Sequence, residues 1–244
     1  GPTQRGAAIG MDKLAFSGTM ETAGIPSLPL HLVTDDLTLE EPGPFIIKPR
    51  FGGSSIGIEV VEDLATAKAL VKTQPLLRSG AVAQRYLSDA VDLNISVRTY
   101  PNTTLSAVER PLRPEDGGIY SYADKYLTGP EGMASAPREL PADLPPNIEG
   151  ELRTIADQVV QLVMVRSVAR IDFLWNADGL WVNEINTIPG SLSWYFWSHE
   201  GVPFARLLTD LIQEATESPG ARFQTDGADG TALRDVGAIS HKLA

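Results

Sequence analysis

The run Ala169–Gly190, ARIDFLWNADGLWVNEINTIPG, constrains this chain more than any other stretch. Two apolar-rich segments, Ala169–Trp175 and Leu180–Asn186, flank a polar turn that ends in Asp178-Gly179, the pattern of an antiparallel hairpin. A loop of Ala177-Asp178-Gly179, with Gly179 left-handed, sets Arg170 opposite Asn186 and Asp172 opposite Glu184. Because strand side chains alternate between faces, Arg170, Asp172, Glu184 and Asn186 share one face. Ile171, Phe173, Trp175, Trp181 and Ile185 share the other, which is expected to be core.

Cross-strand partners lie about 4.5–5.5 Å apart at Cβ, where like charges destabilise the pair. A positive group is therefore expected between Asp172 and Glu184. Arg170 supplies part of that charge, and the neutral amide oxygen of Asn186 suits a hard divalent cation. Mg²⁺ is typically held by one or two carboxylates together with substrate phosphates, which makes a nucleotide the natural third component. The plainer alternative is a salt-bridged polar strand face, and a one-residue slip of register would remove the metal site altogether. The stiff turn Thr187-Ile188-Pro189-Gly190, which brings backbone amides beside the carboxylates, favours the metal.

At 244 residues, 43% hydrophobic and 21% charged, the chain can bury a sizeable core and divide into one or two domains. The absence of cysteine excludes disulfides and thiolate metal sites and fits a reducing compartment. With no signal peptide and no long apolar run, a soluble, cytoplasmic protein is expected. A net charge of −11 argues against nucleic-acid and anionic-membrane partners, so any cations for a nucleotide must be gathered locally.

In chain order, Met11–Ala23 is expected to be a helix closed by Gly24 and Pro26, with Lys13 near its start. Leu28–Val33 reads as a short strand. Phe45-Ile46-Ile47 is a buried strand running into Lys48-Pro49, the loop Arg50-Phe51-Gly52-Gly53-Ser54-Ser55-Ile56-Gly57 and a second strand, Ile58–Val61. Glycines let a backbone approach a ligand, and successive amides with serine hydroxyls can cradle phosphate. The loop is not a Walker loop, since no GK[ST] follows, and a plain hairpin turn is the alternative. A helix over Glu62–Lys72, a strand Ala81–Tyr86 and a half-exposed strand Leu93–Thr99 follow, with Ser88–Val91 as a hinge. Segment 111–146 carries Gly117-Gly118, Tyr120, Tyr122, Lys125 and Tyr126 and reads as a lid that closes on an anion. Glu149–Val163 is the strongest helix, burying Leu152, Ile155, Ala156, Val159, Val160 and Val163, and Phe204–Ala215 is the last one before a Gly/Asp-rich tail at 218–244. The scattered His31, His199 and His241 read as structural or surface residues.

Taken together, MDK at 11–13, IKP with GGSSIG at 47–57, KY at 125–126, ARIDF at 169–173 and NEINTIPG at 183–190 resemble the ATP-grasp superfamily. Within it the chain is similar to the D-alanine–D-alanine ligases over about Gly6 to Ala215. The resemblance implies an α+β ATP-grasp fold: two lobes of antiparallel sheet packed with helices, about 1–92 and 93–217, with ATP between them. It implies that a carboxylate is phosphorylated by ATP and that an amino acid's amine displaces the phosphate. Lys13 and Lys48 then hold ATP phosphates, Ser54 and Ser55 belong to the phosphate-covering loop, and Gln84, Arg85 and Leu87 form the hinge strand at the adenine. Asp92 is the ribose acid, Lys125 and Tyr126 are the lid pair over the γ-phosphate, and Arg170 stabilises the oxyanion. Asp172, Glu184 and Asn186 hold two Mg²⁺ ions (Mn²⁺ being an acceptable substitute), with Glu184 bridging, and Gly190 offers its amide to the substrate. The KY pair implies a peptide rather than an ester product.

The chain departs from the family pattern at Gln84 and Asp92, where glutamate is usual, and at Tyr195-Phe196, where the family has a Ser-Leu that holds the second substrate's carboxylate. The family's N-terminal domain, which supplies a glutamate and other groups that hold the first D-alanine, is not among these residues; the chain is expected to open where the central domain begins. Small-molecule amino-acid substrates, D-alanine first among them, and a homodimer are expected. A ligase of a specialised pathway and a non-catalytic nucleotide-binding fragment are the alternatives.

Overall fold

The computed structural model describes residues 1–112 and 137–218. The expected lid pair Lys125 and Tyr126 and most of the tail lie outside the described residues.

Helix α1 (Gln4–Met11) and helix α2 (Lys13–Thr22) stand where a single helix from Met11 was expected. The break is Asp12, whose extended backbone (φ −103°, ψ 103°) takes it out of both helices. Its Oδ1 caps α2 by accepting from the Leu14 and Ala15 amides at 3.1 and 3.3 Å. Arg50 then grips the same carboxylate through Nε and Nη2 at 2.8 and 2.6 Å, tying α2 to the start of the glycine-serine loop. That contact holds the Asp12 carboxyl below its ordinary range. The carboxylate's contribution to stability is therefore present above the ordinary Asp range and is lost as pH falls through the lowered value. Asp12→Ala is expected to cost about 0.5–2 kcal/mol as a lost cap, and Asp12→Asn less, because asparagine still caps. Identical thermal melts for the three proteins would remove the anchor.

A four-stranded antiparallel sheet has the order β1 (His31–Leu32), β4 (Ala81–Arg85), β2 (Phe45–Pro49), β3 (Glu59–Val61). Alternation sends Phe45 and Ile47 of β2, with Ala81 and Ala83 of β4, into a core beneath helix α3 (Leu64–Thr73). The same alternation turns Ile46, Lys48 and Gln84 to the opposite face. The expected strand Leu28–Val33 shrinks to His31–Leu32, since Pro29 and its neighbours cannot supply a full ladder.

A second antiparallel sheet has five strands in the order β7 (Arg138–Glu139), β6 (Thr104–Pro111), β5 (Val91–Arg98), β8 (Val168–Asn176), β9 (Gly179–Asn186). One face, built from Leu93, Ile95, Val97, Ile171, Phe173, Val182 and Ile185, packs on helix α4 (Pro146–Val163). All six apolar residues expected in the stripe of that helix are buried there, joined by Phe16 and Met20 of α2. The other face is expected to be solvated at Asn94 and Ser96, yet both are buried. Helix α5 (Trp194–His199) covers this end, its Trp197 Nε1 donating to Ser96 Oγ at 3.1 Å. Helix α6 (Phe204–Glu217) locks behind α5 through Leu207, which packs with Trp197 and Val168.

Among the described residues no helix is long and apolar enough to cross a membrane.

Candidate active site

The β8–β9 hairpin sets Arg170 opposite Asn186 and Asp172 opposite Glu184, as the alternation requires. Its turn differs from expectation. Ala177 and Asp178 alone form the loop, Asn176 pairs with Gly179, and Asn176 Oδ1 accepts from the Asp178 amide at 2.9 Å. The extra residue sits instead in a bulge next to Asp172, opposite which Asn183 interrupts the ladder. Gly179 is not among the left-handed glycines. The bulge reverses the faces beyond it, so Leu180 and Val182 enter the core, whereas Trp181, expected there, does not.

The bulge has a second consequence. Asn183 points its Oδ1 to Lys48 Nζ at 3.2 Å, while Gln84 Oε1 accepts from the same ammonium at 2.7 Å. Lys48 is 7% exposed, so this contact joins β2 and β4 of one sheet to β9 of the other. Asn183 was missed as a site residue. Its place in NEIN looked like an ordinary strand position, and only the bulge aims it at Lys48.

Arg170 is buried and forks onto Asp172, Nε to Oδ1 at 2.6 Å and Nη2 to Oδ2 at 2.7 Å. Burial works against its charge, but the Asp172 carboxylate outweighs it and raises the pKa well above the ordinary value, so Arg170 stays cationic. Asn186 Nδ2 donates to Asp172 Oδ2 at 3.0 Å. Its Oδ1 is then the atom it would offer to a cation. Both Asp172 oxygens already accept hydrogen bonds, but a carboxylate oxygen has two lone-pair sites and can share one with a metal. Two carboxylates and one amide oxygen on a single face fit a hard divalent ion that takes its remaining ligands from phosphates and water. Among the described residues no group of three His, Cys, Asp or Glu forms a self-sufficient metal cage.

These groups line one cleft between the sheets. From the start of α2 comes Lys13; from the first sheet and its loops come Lys48, Ser54, Ser55, Gln84, Arg85 and Leu87; from the second sheet come Asp92, Arg170, Asp172 and Glu184. Lys13 Nζ donates to the Gly52 carbonyl at 2.7 Å, so it braces the loop as well as facing the cleft. Within the loop Gly52 and Gly57 have φ of +125° and +74°, and Ser54 and Ser55 both adopt +58°. Two adjacent left-handed serines are costly, and such conformations concentrate at ligand-binding loops. Gly190 and Asn186 are not in the cleft lining. Asn186 acts on the site through Asp172, and Gly190 opens a turn in which Ser191, Leu192 and Ser193 all have φ of +51°.

Of the expected pair Tyr195-Phe196, only Tyr195 reaches the cleft; Phe196 is wholly buried. Tyr195 OH donates to Glu109 Oε2 at 3.3 Å, Asn94 Nδ2 donates to the same oxygen at 3.0 Å, and Arg138 Nη1 meets Glu109 Oε1 at 2.9 Å. Burial first, and then the charge of Glu109, push the Tyr195 phenol well up, so it remains a hydrogen-bond donor. Glu109 and Arg138, on two strands far apart in sequence, were not marked by any local pattern.

Two antiparallel sheets closing on a cleft, one bringing lysines and a glycine-serine loop and the other a carboxylate hairpin, define the ATP-grasp fold. Solved structures agree. The D-alanine–D-alanine ligase of Bacillus anthracis, complexed with ATP, matches 88% of this chain and 69% of its own at a TM-score of 0.70 and 18% identity. The D-alanyl-alanine synthetase A of Vibrio cholerae matches 88% of this chain and 66% of its own, also at 0.70, with 22% identity.

A profile of the family described as D-ala D-ala ligase C-terminus matches residues 20–213, and the chain belongs to that family. A D-alanine–D-alanine ligase of Thermosipho africanus is 30% identical over 176 residues, 72% of this chain and 47% of that protein. One from Solibacter usitatus is 31% identical over 226 residues, 87% of this chain and 66% of that protein. The chain thus spans about half the length of the first of these relatives.

Proposed function

We propose that this chain is the nucleotide-binding and catalytic part of an ATP-dependent carboxylate–amine ligase that makes D-alanyl-D-alanine for peptidoglycan precursors in the cytoplasm. The observation that carries this reading is the single cleft in which Lys13, Lys48 and the Ser54-Ser55 loop face Arg170, Asp172 and Glu184. Phosphoryl transfer asks the protein mainly for positioning and charge neutralisation, and these residues offer both.

A carboxylate oxygen of the first amino acid attacks the γ-phosphorus, ADP leaves, and an acyl phosphate results. The amine of the second amino acid then attacks the acyl carbon, inorganic phosphate departs and a proton is released. Lys48, braced by Gln84 and Asn183, holds phosphate oxygens. Arg170, aimed by its fork onto Asp172, faces the negative charge that develops on the acyl oxygen. Asp92 takes the ribose, and the Gln84–Leu87 strand takes the adenine. Asp172, Glu184 and Asn186 would hold Mg²⁺, which when bound neutralises the phosphates. Lys125 and Tyr126 belong to this proposal as the lid pair, Gly190 as an amide donor to substrate, and a homodimer as the assembly.

Calorimetric titration with ATP tests it. Binding is expected with Mg²⁺ and is expected to fall at least tenfold in EDTA. Glu184→Gln is expected to weaken binding more than Asp172→Asn, because both Asp172 oxygens already accept hydrogen bonds from Arg170 and Asn186. Equal affinity with and without EDTA would leave the hairpin as a polar strand face.

A further inference from the structure

The register of the second sheet lines up four side chains across neighbouring strands: Glu109 of β6 opposite Asn94 of β5, Asn94 opposite Asp172 of β8, and Asp172 opposite Glu184 of β9. Strands lie about 4.8 Å apart, so Glu109 stands roughly 10 Å along this row from Asp172. The Glu184–Asp172 end is where the phosphates belong under the proposed function. The Glu109 end needs a different occupant.

Three donors converge on Glu109: Asn94, Tyr195 and Arg138. Glu109 and Arg138 have side-chain exposures of 4% and 13%, so this is a buried, organised cluster that still borders the cleft. The Arg138 guanidinium carbon lies 4.1 Å from the Tyr195 ring centroid, held against the aromatic face. Glu109 and Tyr195 together therefore fix a guanidinium in place, which lowers the entropy lost when that group binds an anion. A fixed guanidinium is matched to a carboxylate, which it can meet through two parallel N–H···O bonds.

The family places a Ser-Leu pair where the second substrate's carboxylate is held, and this chain was expected to have Tyr195-Phe196 there. Phe196 is fully buried in α5 and offers nothing to a ligand. Tyr195 reaches the cleft but spends its hydroxyl proton on Glu109. The guanidinium held against Tyr195 at this end is that of Arg138, ion-paired with Glu109, and Arg170 adds positive charge from the neighbouring strand.

We propose that Arg138 binds the carboxylate of the acceptor amino acid, with Glu109 and Tyr195 as its positioning residues, which restricts the acceptor to amines bearing a free carboxylate. This rests on the ligase reading above. The acceptor would then lie along the row, its amine toward Arg170 and the acyl phosphate and its carboxylate toward Arg138.

The test uses the full-length enzyme, with ADP release and dipeptide formation followed for D-alanine and for D-alaninamide as acceptor. Wild type is expected to prefer D-alanine strongly. Arg138→Gln is expected to raise the acceptor KM about 10- to 150-fold, the range for losing a charged hydrogen-bonding partner, and to collapse the preference over the amide, with the KM for ATP unchanged. Arg138→Lys, which keeps the charge but not the fork, should recover part of the preference. Glu109→Gln should raise the acceptor KM with little change in kcat. A folded Arg138→Gln enzyme that keeps both its acceptor KM and its preference for D-alanine overturns the assignment of Arg138 alone. A wild type that forms no dipeptide overturns the ligase reading and this inference with it.

Discussion

Replacing Lys48 with methionine is expected to lower the affinity for Mg·ATP by about two to three orders of magnitude. The ammonium is buried, 7% exposed, and its contacts to Gln84 and Asn183 are to neutral oxygens. Under the proposed function this ammonium also meets the phosphate oxygens of the nucleotide. Truncating one partner of a buried, hydrogen-bonded charge pair typically costs 2–5 kcal/mol or more, about 30-fold to several thousand-fold in affinity. Methionine keeps most of the side-chain volume, so the variant should fold and the loss should be confined to phosphate recognition. AMP, which lacks the outer phosphates, provides the contrast: its affinity should change far less than that of ATP. Titrations in which Lys48→Met binds Mg·ATP within threefold of wild type would place the phosphates elsewhere in the cleft.

Lys48 also shows what the sequence could and could not disclose. Its strand was legible because Phe45, Ile46 and Ile47 are apolar, and its position before a glycine-serine loop suggested phosphate. Alternation alone then turns it to the cleft. Its partner Asn183 was hidden. One extra residue in a hairpin can lie in the loop or in a bulge, and either choice leaves Asp172 opposite Glu184. Only the bulge presents Asn183 to Lys48 and withdraws Trp181 from the core. Nothing local in LWVNEIN separates the two cases, because Asn183 is no glycine and the run still alternates. The break at Asp12 was obscured in the same way, since the capping preference of Asp competes with a continuous helical pattern until Arg50 arrives from the loop after β2. Glu109 and Arg138 lie further out of reach: they meet only because β7 pairs with β6 after a long excursion of the chain.

Arg170→Met is expected to lower both stability and turnover, and the divalent ion should repair only the first. In the native protein the guanidinium forks onto Asp172, and the two side chains are 10% and 14% exposed. Removing one member of a buried pair leaves the other as an uncompensated charge, at a cost of about 3–5 kcal/mol. Here the penalty is compounded, because Glu184 stands opposite Asp172 and the two carboxylates then face each other without the arginine's charge on Asp172. Saturating Mg²⁺ should therefore raise the melting temperature of Arg170→Met more than that of wild type. Turnover should not follow, because an ion that quiets the two carboxylates does not replace the guanidinium that the proposed function sets against the acyl oxygen. Losing one such preorganised donor typically costs about 10²–10³ in rate. Arg170→Met/Asp172→Leu removes the pair together and should be more stable than Arg170→Met alone while remaining inactive. If Mg²⁺ shifts the wild-type and Arg170→Met melts equally, the arginine and the ion do not share the task of neutralising the hairpin. The carboxylate pair would then have to be balanced from another side of the cleft.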